Sequence, residues 1–211
     1  MKSTIILIIA FAATIYPLNA QKVIDRNMDF TGKKSLKLNI QFADSVKIHT
    51  WNKKEVFAKA FININDNVDN EIYKVDFKET SDNIIVNASF DEDFFRNKED
   101  NCFRDNIVWE FYIPDNTPFF IETISGNIII DGLTTEIKAK TIGGFIDWTI
   151  TPGQKADLEL KTISGAFYSN IEGLSGVKRN YFSPVLIDKL NNGGFPVKLE
   201  TISGNIYCRK Q

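Results

Sequence analysis

The sequence predicts an all-β chain folded as a single-domain β-solenoid, with coils of about 20 residues and N-terminal strands capping one end. Three observations predict it. The phrase TISG at Thr123, Thr162 and Thr201 recurs, with TIGG at Thr141 as a fourth copy. Apolar and charged residues alternate on the approach to each copy. Turn-forming stretches, DGLTTE, TPGQK, EGLSG and NNGG, punctuate the far ends of the units.

The gaps between copies are 18, 21 and 39 residues. The last gap is twice the others, which asks for a worn copy in NYFSPVLID, with Tyr181 at the Thr position and Pro184 at the Gly position. Two and four residues before each Thr stand Ile121 and Phe119, Ala139 and Ile137, Leu160 and Leu158, Leu199 and Val197. Glu122, Lys140, Lys161 and Glu200 intervene. A period of two suits a strand with one buried face and not a helix. Ile128 and Ile130, Ile146 and Trp148, Phe167 and Ser169, and Ile206 and Cys208 continue it past the Gly, so each unit reads as strand, corner, strand, corner. At the corner, Thr123, Ser125 and Gly126, with their equivalents Thr141, Gly143, Gly144, Thr162, Ser164, Gly165, Thr201, Ser203 and Gly204, are read as structural turn residues. Ile124 is expected to fill the corner. The column Glu122, Lys140, Lys161, taken in sequence order, pairs opposite charges only at its first step.

The repeat core spans about 107–210 and the strands and cap 34–106, within one domain over 21–211. In the N-terminal half, SVKIHTWNKKEVFAKAFI can be laid over NIIIDGLTTEIKAKTI, with Val46, Ile48, Val56 and Ala58 near the apolar positions, so a divergent coil is expected to begin there. SLKLNIQF, EIYKVDFKE, NIIVNASF and NIVWEFYIP read as further strands, and the charged segment 90–106 as an exposed loop.

Residues 1–20, MKSTIILIIAFAATIYPLNA, have one Lys, an apolar run to Tyr16, Pro17 and a small residue at Ala20. That composition reads as a signal peptide, an uncleaved anchor being the alternative. The run is shorter than the roughly 20 residues that span a bilayer, so no transmembrane segment is expected after its removal. No Cys follows the cleavage point, which speaks against a lipoprotein. The chain carries 25 basic and 27 acidic residues, a net charge of −2. Such a balance offers no basic stripe, which excludes nucleic acid as a partner.

Candidate chemistry is sparse. The one histidine, His49, alternates outward on VKIHTW, where a solvated role outweighs a catalytic one, and no GxSxG surrounds any Ser. Asp131, Asp147 and Asp188 occupy corresponding places in their coils and are the carboxylates a polysaccharide-cleaving β-helix would use. Each also suits a turn. NDNVDNE (65–71) and FDEDFF (90–95) offer hard oxygens but lack the EF-hand order, so no metal and no cofactor is expected. Cys102 and Cys208 make one possible disulfide; a buried free thiol at Cys208 is the alternative. Asp44 to Val46, DSV, matches a short O-glycosylation signal. Trp51, Phe94 and Phe95 are candidate sugar-binding aromatics.

WEFYIPDNTPFFIETISGNIIIDGL, an aromatic strand ending in IP followed by Thr-x-Ser-Gly corners, resembles the large bacterial family of adhesin-like proteins with β-strand repeats. In construction it is similar to the related head-domain β-helix family of secreted and cell-envelope proteins. The resemblance covers about 46–208 and implies an exported protein of the periplasm, cell surface or medium, with no catalytic residues to carry over. Together these readings lead us to expect a non-enzymatic adhesin-like protein presenting a surface to an envelope protein or glycan. The alternative is a carbohydrate-active enzyme or lectin-like glycan binder.

Overall fold

A computed structural model describes residues 21–96, 104–172, 174 and 185–210. The expected signal peptide, Cys102, and the worn copy at Tyr181 to Pro184 lie outside the described residues. Fifteen strands follow in chain order: β1 (Lys22–Asp29), β2 (Ser35–Ile40), β3 (Phe42–Trp51), β4 (Glu55–Ile64), β5 (Tyr73–Glu79), β6 (Asn83–Phe90), β7 (Asp105–Pro114), β8 (Phe119–Gly132), β9 (Ile137–Gly143), β10 (Ile146–Ile150), β11 (Ala156–Thr162), β12 (Phe167–Ser169), β13 (Val185–Leu190), β14 (Phe195–Ser203) and β15 (Ile206–Lys210). The described helical elements are a single 3₁₀ turn, Asn70–Ile72, and the short helix α1, Glu92–Arg96.

Strand β8 runs through two walls. Its first half belongs to the order β5-β6-β2-β8-β9-β14-β11-β13, and its second half to β1-β4-β7-β3-β8-β10-β15-β12. Five strand-corner-strand layers thereby stack in parallel: β2 with β3, β8, β9 with β10, β14 with β15, and β11 with β12. Antiparallel strands β5, β13, β4 and β1 flank them. Alternation puts one face of each strand into a common core that includes Phe119, Ile121, Ile128, Ile130, Trp148 and Leu199. Each such buried side chain stabilises the stack by about 1.5–3 kcal/mol.

The chain is all-β, but it is not the regular solenoid that the repeat predicts. The sheet is open at its ends and mixes parallel with antiparallel pairs. Nor do the layers stack in sequence order, because the Thr201 copy inserts between those of Thr141 and Thr162. That order also suits the charges. Sequence order would set Lys140 beside Lys161, whereas the inserted strand places Glu200 between them, and Lys161 Nζ bonds Glu200 Oε1 at 3.1 Å. In spatial order the outward column reads Glu122, Lys140, Glu200, Lys161, with charge alternating at every step. These pairs hold the Glu200 carboxyl below its ordinary range, chiefly through the Lys161 hydrogen bond.

The N-terminal half also departs from a simple cap. Val46 and Ile48 sit opposite Ile128 and Ile130, making β2 and β3 a full layer of the stack. Val56 and Ala58 leave the overlay, since β4 turns back and pairs antiparallel with β7. A bulge between Phe42 and Ser45 takes up the mismatch, and there Asp44 Oδ2 accepts from the Ile107 amide at 2.6 Å. The DSV motif thus lies in a strand, with its Ser45 half-buried.

Candidate binding surface

The repeated phrase builds the corners. Thr123, Thr141, Thr201 and Thr162 stand in one row, each inward and buried. Each hydroxyl donates to a corner carbonyl of the layer beneath: Thr123 to Gln41 (3.2 Å), Thr141 to Gly126 (3.1 Å), Thr201 to Gly144 (3.0 Å) and Thr162 to Gly204 (2.9 Å). A net hydrogen bond of this kind stabilises by about 1 kcal/mol. The glycines let the corners close on one another. A Cβ on Gly144 would lie 2.7 Å from the Gly126 carbonyl carbon, and one on Gly204 2.6 Å from that of Gly144. Ser125, Ser164 and Ser203 are exposed. The isoleucine of each phrase does not fill the corner: Ile124, Ile142, Ile202 and Ile163 point outward. The Thr is inward, so strand alternation turns the next residue out.

Asp131 and Asp147 share the outer face of the second wall, on neighbouring strands two register positions apart, and Asp188 stands away from them. Asp188 lies on β13 of the first wall, beside β11. Asp147 is buried on the second wall and held by the Arg209 guanidinium, whose Nε reaches Oδ1 at 2.8 Å while a terminal nitrogen meets Oδ2. Asp131 Oδ2 is engaged by His49 Nδ1 at 2.7 Å. Each of the three therefore has its own structural setting.

His49 belongs instead to an aromatic row across four strands of the second wall: Asp131 on β8, His49 on β3, Tyr112 on β7 and Phe57 on β4. The His49 and Tyr112 rings stack at 5.1 Å with 29° between planes, and Phe57 lies 6.2 Å from Tyr112. Trp51 leans on Tyr112 at 5.4 Å, carries the Lys53 ammonium 4.3 Å from its ring centroid, and donates its indole N–H to the Glu55 carbonyl. Only the His49 and Tyr112 rings stack; Trp51 and Phe57 each tilt against Tyr112 by 36°. Among the sugar-binding candidates, Trp51 is in this patch, Phe94 lies on α1, and the Phe95 side chain lies outside the described residues. Tyr112 and Phe57 carry no sequence motif. Only the pairing of β3, β4 and β7 reveals them.

The Asp131 hydrogen bond raises the His49 pKa above its ordinary value, against opposing desolvation. A raised folded-state pKa contributes stability that is fully present below the unfolded value and is lost as pH rises through the folded one. The side chains are 28% and 42% exposed, so the contribution should be no more than about 1 kcal/mol. Tm measured across about pH 5.5 to 8.5 should therefore contain a downward step that His49→Gln removes. An unchanged pH profile in His49→Gln would show the pair to be energetically silent.

The loop at 65–71 spends its oxygens on its own turn and on neighbouring segments, Asn65 Oδ1 accepting from the Arg104 amide and Glu71 pairing with Lys22. Asn65, Asp66 and Asn67 have φ of 47°, 55° and 69°, and the Asn70 side chain accepts from the Ile64 amide at 2.8 Å while Asn65 donates to Asp69. Cys208 is a buried free thiol whose pKa burial pushes up to about 12, so it is a poor nucleophile. Its expected disulfide partner lies outside the described residues.

No protein-family model matches the chain, and no curated protein matches it in sequence. Among solved structures it is similar to a "putative cell adhesion protein" from Clostridium sporogenes, with TM-score 0.57 and 14% identity over 91% of this chain and 100% of that one. A "putative adhesin" from Bacteroides fragilis gives TM-score 0.34 and 9% identity over 92% and 99% of the two chains. A "putative adhesin" from Parabacteroides merdae gives 0.24 and 8% over 90% and 96%. The Clostridium likeness is one of fold, to which the lower-scoring pair adds nothing.

Proposed function

We propose that this chain is a non-enzymatic, exported, adhesin-like module that presents a flat outer face to an envelope protein or glycan. One observation carries the non-enzymatic part. The groups that a carbohydrate-cleaving site would need are tied into the architecture, Asp147 by Arg209 and Asp131 by His49, with Asp188 on another wall. The adhesin-like part is supported by the fold shared with the Clostridium protein. Export rests on the reading of residues 1–20 as a signal peptide.

A glycan as ligand is favoured by the half-buried aromatic row of Trp51, Tyr112 and Phe57 beside the His49–Asp131 pair. Half-buried rings and a hydrogen-bonding pair side by side offer the apolar and polar contacts an amphipathic sugar needs. The test is a glycan array run alongside capture from an envelope extract, both with the purified chain and with Tyr112→Ala. Saturable binding to one component, with that component recovered intact, is the expected result, and a Tyr112→Ala loss would place a glycan on this row. New reducing ends from a polysaccharide panel would refute the non-enzymatic reading.

A further inference from the structure

The outer face of the first wall carries two adjoining columns that run along the stack. One is apolar: Ile124, Ile142, Ile202 and Ile163 in layer order, exposed by 41, 43, 36 and 52%. Two residues earlier on the same strands runs the alternating column Glu122, Lys140, Glu200, Lys161. A row of exposed isoleucines gives nothing to the core, and a contiguous apolar strip bordered by charge marks an interaction surface.

The charge sequence identifies the occupant, because minus, plus, minus, plus read backwards is its own complement. We infer that this strip is a self-association surface, on which a second copy of this chain docks face to face about a two-fold axis parallel to the strands and passing between β9 and β14. That operation reverses the layer order while keeping each column over itself. Glu122 then faces Lys161 of the second copy, Lys140 faces Glu200, and the isoleucines meet in one apolar seam, as an isologous contact requires. Shape agrees with charge. A groove of about 280 Å³ lined by Gln41, Ile124 and Ile142 lies at the β2 end of the strip, where the operation delivers Ile163, the most exposed of the four.

A two-fold along the stack and through the charged column would instead set each charge over its own copy, Glu122 on Glu122 and Lys140 on Lys140, and lay the isoleucines over the column of Lys138 and Lys198. In the chosen geometry that same column sets Lys138 over Lys198 of the second copy, so contact ends at two columns. A contact two columns wide is narrow beside that of a permanent dimer, and the association is weak and reversible.

Sedimentation velocity of the full-length product, purified after export, tests this over a concentration series reaching about 1 mM. A concentration-dependent dimer is expected. Ile142→Asp, at an exposed position, should leave Tm unchanged and raise the dimer dissociation constant about tenfold or more. Glu122→Lys should weaken the dimer by sequential like-charge contact with Lys161, and adding Lys161→Glu should restore it, since lysines at 122 and 140 then face glutamates at 161 and 200. A chain that stays monomeric throughout overturns the inference, as does a dimer indifferent to Ile142→Asp. So does a Glu122→Lys defect that Lys161→Glu fails to rescue, which would mean that the strip does not meet its own reversed copy.

Discussion

Gly144→Ala should lower Tm by about 6–12 °C, corresponding to roughly 3 kcal/mol. Gly144 sits at the middle corner of the stack with φ of 144°, a conformation that L side chains rarely adopt. Strain at such a position costs about 1–2 kcal/mol. The added methyl would also be driven into the Gly126 carbonyl group, the one to which Thr141 donates. Crowding of packed backbone costs a further 1–3 kcal/mol or so, and moving the corner away would stretch the Thr201 bond to the Gly144 carbonyl on the other side. Gly153 supplies the control, because its φ is 80° with nothing within 4 Å of a built Cβ. Gly153→Ala should cost about 1 kcal/mol. Equal losses in the two variants would mean that backbone strain alone, and not the stacking of corners, makes the repeat keep its glycine.

The same corner shows how far the sequence could be read. Strands were legible because period-two alternation is local, and the Thr row was legible because the phrase is repeated with little wear. Layer order was not. Lys161 and Glu200 are 39 residues apart, and nothing near either residue announces that β14 will enter between β9 and β11. The alternating charge column was present in the composition of the four phrases, but only spatial order brings it out. The outward isoleucines were a missed inference and not a hidden one. Reading Ile121 and Thr123 as inward already commits Ile124 to the other face, and the corner begins one residue later, at Ser125. For His49 the outward direction followed from Val46 and Ile48, whereas its partner Asp131 lies 82 residues away on β8 and could come only from the fold.

Trp109→Ala should be comparably damaging, at about 3–5 kcal/mol for a fully buried ring, or a Tm loss of about 6–20 °C. Trp109 is 0% exposed on β7, stacks on Phe111 at 5.2 Å with 5° between planes, and meets Phe77 edge-on at 6.5 Å. Its indole N–H donates to the Tyr73 hydroxyl at 3.2 Å, and that hydroxyl donates to the Phe42 carbonyl at 2.9 Å, beside the first corner. The short relay ties β5 of the first wall and β7 of the second to the bulged start of β3. Burial pushes the phenol far above its ordinary pKa, the indole donor opposing it and the nearby Asp105 charge adding to it. Trp109→Phe keeps a ring and loses the donor, and Tyr73→Phe keeps the ring and strands both the indole N–H and the Phe42 carbonyl. Each should cost about 1–2 kcal/mol. If the relay acts as one unit, the double variant will cost less than the two single losses together, by about 0.5 kcal/mol or more. Strict additivity in thermal melts of the four proteins would show instead that the two rings serve their own walls separately, and that the first corner is held by its Thr123 bond alone.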